Sequence, residues 1–316
     1  MTTTLIRRVC LAVPVLVGVS FIVFMMMHLA PGDPAEAMLG PLRTEETLAK
    51  VRHELGLDQP LPLQYLSWST RALTGDLGTS IRLSRPVLPE VLARFRDSAL
   101  LATVAFLIAT ILGLAAGVGS AAKRGSLLDR LVTVATVMGL SMPPFYLGML
   151  LIVVFSVKLP LLPASGMYDI RNDPTAWELV RHIVLPAVTL AAAPLTVIAR
   201  ISRSSMLEVI NQDYIRTARA KGLNGRIVMV RHAFRNAIAP VLSVLGLEVG
   251  YLLSAAALVE VVFSWPGIGS LLVQSVVTRD LPLAQGCVLV IALLYVGVTV
   301  ITDLVQAVVD PRIQFS

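Results

Sequence analysis

An all-α membrane protein with six transmembrane helices is the fold class this sequence predicts, and three observations carry it. Apolar residues make up 56% of the 316-residue chain and charged residues 15%, a balance expected when lipid is the main solvent. The apolar residues gather in runs long enough to cross a hydrocarbon core of about 30 Å. The cations cluster in short stretches beside those runs, as the positive-inside rule requires of cytoplasmic loops. The net charge of +6 does not point to nucleic acid, because the basic stretches lack the interleaved aromatics of a single-strand binder.

Arg7 and Arg8 precede the first apolar run, 9–30, so the N-terminus is expected in the cytoplasm. The run exceeds a signal-peptide core and ends in His28-Leu29-Ala30-Pro31-Gly32-Asp33-Pro34, which favours an uncleaved helix. Residues 31–97 then form the longest polar segment, an extracytoplasmic loop with short helices. Thr44 caps one whose first turn holds Glu45 and Glu46 and whose face holds Leu48, Val51 and Leu55, before Gly56. Leu63, Leu66 and Leu73 mark a second before Gly75, and Pro86 and Pro89 start a third that leads into the membrane. These helices are read as a cover for the outer mouth of the bundle.

Residues 98–316 are expected to hold the remaining five helices. The span 98–120 carries Gly113, Ala115, Ala116, Gly117 and Gly119, small residues that let helix backbones approach in lipid. Lys123, Arg124 and Arg130 follow in a cytoplasmic loop. In the span 131–157, Pro143 and Pro144 remove two amide donors and predict a kink, either a hinge or a static bend. An outer loop at 158–182, with a short helix at 174–180, leads to the span 183–201, which holds Pro186 and Pro194 and ends in Arg200 and Arg203. The span from Pro240 to Val262, a turn at VFSWPGIGSLL outside the membrane and the span 285–309 return the C-terminus to the cytoplasm. Cys10 and Cys287 both lie in apolar runs and read as packing residues, neither a metal site nor a disulfide.

The loop 202–238 is the strongest functional signal. The stretch 213–240 carries Arg216, Arg219, Lys221, Arg226, Arg231 and Arg235 against Asp213 alone. At about 2.5 to 3.5 kcal/mol each, six cations would cost roughly 15 to 21 kcal/mol at membrane depth, so the loop lies in water. Tyr214, Ala218, Ala220 and Leu223 alternate with the cations and allow a short helix ending near Gly222, a favourable C-cap residue. A short surface helix followed by a turn makes a docking element.

This loop resembles the cytoplasmic "EAA" loop of permease subunits of ATP-binding-cassette importers. Arg216-Thr217-Ala218 stands at the Glu-Ala-Ala triplet and Gly222 at the glycine, with His232, Ala233, Phe234 and Arg235 at Ile-x-Leu-Pro. Arg216 replaces the acid and Arg235 the proline, so the family glutamate's contact is not carried over. LAPGDPA at 29–35, VFSWPGIG at 262–269 and the terminal VDPRIQ extend the likeness over nearly the whole chain, which is similar to the B-type subunit of the dipeptide, oligopeptide and nickel branch. The resemblance implies a type I ABC importer-like permease of the inner membrane and a docking set of Asp213, Tyr214, Arg216, Ala218, Arg219, Ala220, Lys221 and Gly222. It also implies three kinds of partner besides the lipid bilayer: a second permease subunit in a heterodimer, two cytoplasmic ATPase subunits or domains that bind ATP and Mg, and an extracytoplasmic substrate-binding protein. Peptides are the expected cargo, with nickel chelates, glutathione or another small solute as alternatives. The other reading of the loop is basic ballast against anionic lipid.

Glu248 is the clearest intramembrane charge, about 12 to 18 Å along the fifth span from the loop. It reads either as a pathway-lining acid that attracts a cationic substrate end or as a protonated group bonded to a neighbouring helix. Asp303 reads as structural, paired with an interfacial Arg such as Arg312, and His28 and Glu260 as solvated at the outer boundary. No G-x-x-x-x-G-K-[ST] loop is present, so no cofactor is expected in this chain and ATP hydrolysis belongs to another polypeptide. An ion-coupled secondary transporter is the competing class. It would need paired broken helices or a chain of intramembrane acids.

Overall fold

The structure is a computed structural model that describes residues 2–29, 44–54, 57–169 and 174–309. Among these it contains helices and no strand: α1 (Thr2–Leu29), α2 (Glu45–Glu54), α3 (Leu61–Leu73), α4 (Val87–Ala122), α5 (Leu127–Ser141), α6 (Pro144–Lys158), α7 (Ala176–Ile210), α8 (Asp213–Ala220), α9 (Gly225–Val262), α10 (Ile268–Val277) and α11 (Leu281–Val309). Among the described residues, α4, α7, α9 and α11 are each long and apolar enough to cross a membrane, and α5 and α6, bent by 111° where they meet, are so only when taken together. The apolar part of α1, Leu11–Met26, is shorter. The LAPGDPA and VDPRIQ stretches, apart from Leu29 and Val309, lie outside the described residues, as do Gly56, Arg312 and the side chain of Asp303.

Several sequence-read boundaries move. The helix expected to start at Pro86 and Pro89 and the span expected from 98 are one helix: α4 begins at Val87, with Pro86 before it and Pro89 in a first turn that needs no amide donor. The short helix expected at 174–180 is the start of α7, where Thr175 accepts a hydrogen bond from the Glu178 amide at 3.2 Å. Pro240 lies inside α9, which ends at Val262 as expected of the fifth span. The outer turn after Val262 contains α10.

The chain forms two compact units. One comprises Ser98–Trp265 with the segment from Val298 onward. Its core joins Leu101, Ala105 and Ala109 of α4, Leu190 and Ile198 of α7, Leu252, Ala256 and Val259 of α9, and Phe263 and Trp265. Gly113 and Gly117 meet α7 so closely that a side chain at either has no room: a Cβ at Gly113 would lie 2.9 Å from Ile198, and one at Gly117 would lie 2.6 Å from the Ser202 Cβ. Gly119, read with them as a contact residue, has only Leu128 within 3.9 Å. Glu260 corrects another expectation: it is fully buried, and Ser98 Oγ donates to its carboxylate at 2.5 Å.

The second unit comprises Thr2–Asp97 and Pro266–Gly297. Val87, Val91, Ile268, Leu271, Leu283, Cys287 and Val290 form its core, which gives Cys287 the packing role expected of it. Asp280 sits at the start of α11 with 1% exposure and ties down the 80–82 turn. Its carboxylate accepts from Ser80 Oγ at 2.5 Å and from the amides of Ile81 at 3.2 Å and Arg82 at 3.1 Å. His28 is half-buried rather than solvated, with Nε2 2.9 Å from Gln64 Oε1.

Candidate functional site

The basic loop folds as expected into a short helix, α8, joined to α7 through Asn211 and Gln212 and to α9 through Lys221–Asn224. Asp213 opens its first turn, where a negative charge suits the helix dipole. Lys221 follows the last turn, and Gly222 adopts φ +78°, a left-handed conformation that glycine takes without strain. The Gly222 amide donates to the Arg219 carbonyl at 2.9 Å and the Leu223 amide to the Ala218 carbonyl at 3.4 Å, which satisfies carbonyls the helix end leaves free. Asn224 then accepts from the Arg226 amide at 2.9 Å and starts the next helix.

Two residues hold α8 in place. Ile215 is fully buried and Ala218, one turn on, is 8% exposed. They pack with Ala121 of α4, Met206 and Val209 of α7, and Val228, Ala233 and Ala237 of α9. Burying a side chain the size of Ile215 stabilises by about 1.5 to 3 kcal/mol. A polar contact adds to this on the rim: Asn236 Nδ2 donates to Tyr214 Oη at 2.8 Å and to the His232 carbonyl at 3.0 Å.

The rest of α8 faces out. Asp213, Tyr214, Arg216, Arg219 and Ala220 are exposed, as are Lys221 and Gly222 just beyond it. Arg226, Arg231 and Arg235 are exposed too, so all six cations of the loop are open to water. Arg216 lies 3.5 Å from Asp213, but both side chains are largely exposed and such pairs add little. The result is a cationic surface on an apolar anchor. Of the eight residues read from the sequence, Ala218 belongs to the anchor and the other seven to the surface. Glu248 stands apart from them, half-buried on α9 one turn from Tyr251.

Residues that were not singled out in the sequence complete the arrangement. Ile215, three positions before Ala218, carries the anchor and was legible from that spacing alone. Arg203, at the basic end of the fourth span, is paired as well: its Nε lies 2.8 Å from Asp129 Oδ1 and its Nη2 3.1 Å from Oδ2, a two-pronged pair. Ser120 also donates to Asp129, and the Gly125 amide does so at 2.9 Å. This network joins α4, α5 and α7 near the end of α7 that carries α8. Among the described residues no group of three or more His, Cys, Asp or Glu could hold a metal ion.

Residues 109–315 match the family described as "Binding-protein-dependent transport system inner membrane component", and residues 1–102 match its N-terminal counterpart. The chain belongs to this family. The permease is 42% identical over 333 residues to the di/tripeptide transport system permease protein DppB of Pseudomonas aeruginosa, covering 99% of each chain. It is 41% identical to the dipeptide transport system permease protein DppB of Escherichia coli K12, covering 98% of each, and 40% identical to the glutathione transport system permease protein GsiC of Salmonella paratyphi A, covering 100% of each. A chain of the inward-facing MetNI methionine ABC transporter superposes with a TM-score of 0.56 at 17% identity, covering 70% of the permease and 96% of that chain. The fold is thus all-helical and of the type I ABC importer class, and the permease is a multi-pass component of the inner membrane.

Proposed function

We propose that this permease is the membrane-spanning B-type subunit of an ATP-driven importer that carries di- or oligopeptides across the cytoplasmic membrane. Full-length identity of about two residues in five to relatives named for dipeptide transport carries the reading. Relatives named for glutathione match as well, and this supports glutathione, itself a small peptide, as the second cargo.

In this reading the chain crosses the membrane six times with both termini in the cytoplasm. A second permease subunit completes the pathway. Two ATPase subunits hydrolyse ATP with Mg, and a binding protein delivers substrate from outside. The cationic surface of Asp213, Tyr214, Arg216, Arg219, Ala220, Lys221 and Gly222 seats against an acidic ATPase surface, and Ala218 with Ile215 fastens it to the spans. The short connections on either side of α8 leave little slack. A displacement of α8 by the ATPase therefore passes to α7 and α9 as a rigid-body movement. In the same reading Glu248, half-buried along α9, attracts the amino end of a peptide.

The test is ATP hydrolysis by the purified complex co-expressed with partner subunits, for wild type, Arg219→Glu and Gly222→Pro. Proline fixes φ near −65° and cannot adopt the +78° of Gly222. Both variants are expected to insert normally and to lose ATPase subunits or the coupling of hydrolysis to uptake. Uptake that survives both substitutions, follows an ion gradient and needs no ATPase would sink the importer reading.

A further inference from the structure

Two polar contacts and an aromatic cluster fix α3 against the C-terminal half of α1. His28 meets Gln64 at 2.9 Å, and Tyr65 Oη lies 2.7 Å from Ser20 Oγ. Phe24 packs edge-on against Tyr65 at 5.4 Å and lies 6.0 Å from Trp68, while Phe21 meets Tyr65 at 5.6 Å. At a rise of about 1.5 Å per residue, Phe24 is about 7 Å and Ser20 about 13 Å down the helix from Leu29. The basic residues Arg7 and Arg8 place one boundary of the span near residue 8, and a core of about 30 Å then places the other near residue 28. Tyr65 therefore reaches well below that boundary while Gln64 stays at it.

The surface of α3 matches such a depth. Stepping about 100° per residue, Gln64, Tyr65, Trp68 and Ala72 fall on the arc toward α1. Beyond Tyr65 lie Leu66 and Leu73 together as an apolar strip, 57% and 88% exposed, then Thr70, the exposed Leu63 and Ser67, and Arg71 closes the turn beside Gln64. This apolar strip is continuous in character with the exposed Val17, Phe21 and Ile22 on α1, the surface that a span turns to lipid. A helix apolar on one side, polar on the other and sunk about 5 to 10 Å into the headgroup boundary is an interfacial helix.

We propose that α3 is embedded in the leaflet reached by the C-terminal end of α1, with Leu66 and Leu73 against acyl chains and Ser67 and Thr70 toward water. The expectation that this segment only covers the outer mouth of the bundle is thereby replaced. The proposal rests on α1 spanning the membrane, and a label on α1 tests that separately.

In the full transporter, reconstituted in phospholipid vesicles and freed of its own cysteines by Cys10→Ala and Cys287→Ala with transport verified, nitroxide labels are placed one at a time. The variants are Leu66→Cys, Leu73→Cys, Ser67→Cys, Thr70→Cys and, on α1, Ile22→Cys. Relaxation by oxygen, which partitions into lipid, is compared with relaxation by a neutral water-soluble paramagnetic chelate. Labels at 66, 73 and 22 are expected to favour oxygen several-fold over those at 67 and 70. Chelate access at 66 and 73 with an oxygen-rich label at 22 overturns the interfacial helix alone. Labels at 66 and 73 shielded from both reagents overturn it in favour of a covering protein subunit. Chelate access at 22 overturns the α1 span and the proposal with it.

Discussion

The two short helices α8 and α3 solve the same packing problem with opposite outer surfaces. Each is too short to be stable alone in water and is held by one side packed against longer helices. α8 turns Arg216, Arg219 and Lys221 outward, whereas α3 turns out Leu66 and Leu73. The anchoring sides differ as well: Ile215 and Ala218 fasten α8 through apolar contacts, with the Tyr214–Asn236 bond on the rim, while α3 is held by aromatic rings and the His28 and Tyr65 contacts. A surface helix thus declares its neighbour by what it leaves uncovered. Cations at the end of a span face water and acidic protein, and leucines beside a span face hydrocarbon.

The comparison breaks most severely if the anchor of α8 is removed. Ile215→Ala is expected to cost about 2 to 4 kcal/mol of local stability. Protease cleavage within 212–224 should rise, and ATP hydrolysis should continue without uptake. Asp129→Asn is next, because it leaves Arg203 without its two-pronged partner. With Arg203 one-third exposed, the loss is expected to be about 1 to 3 kcal/mol, read as a lower midpoint in thermal unfolding of the purified complex. The exchanged pair Asp129→Arg with Arg203→Asp should recover part of it.

Altering the outer face of α8 should affect binding and leave stability unchanged. Arg219→Glu is expected to weaken ATPase-subunit binding about tenfold, or about 1.4 kcal/mol. The difference from wild type should shrink as salt is raised. An unchanged affinity would mean that the cations lie against lipid. The smallest effect belongs to Asp58. The His53 ring, 2.9 Å away, holds its carboxyl below the usual carboxylate range, so the pair stabilises above about pH 4 and the contribution is lost as pH falls through the lowered value. Both side chains are exposed, and Asp58→Asn should leave the melting temperature unchanged at neutral pH.

What could be read from the sequence follows the range of the interactions. The start and stop of α8 were legible because Asp213 and Gly222 act on their own turns. The face it buries was legible only from the spacing of Ile215 and Ala218, since six cations in one helix and its flanks do not say which side is down. Pro143 and Pro144 announced a bend, but its size of 111° depends on what the two arms pack against. The burial of Glu260 and the pairing of Asp129 escaped notice for another reason. Their partners, Ser98 and Arg203, lie 162 and 74 residues away in the chain, and proximity to an apolar run's end says nothing about them. Asp280, which ends a turn and starts a helix before Pro282, carried a local capping signal that was there to be read.

Two stretches, Ile152–Lys158 and Val228–Phe234, wind as π-helix rather than α-helix. Each such turn holds one residue more than an α turn, so in genetic terms it behaves as a tolerated insertion. Removing a single residue from 228–234 would therefore relax the π turn to an α turn and leave Glu248 on its present face, whereas removing one from the α-helical stretch between 235 and 247 would turn Glu248 by about 100°. Where along the helix a residue is lost, and not only which residue, thereby decides what the spans present to one another.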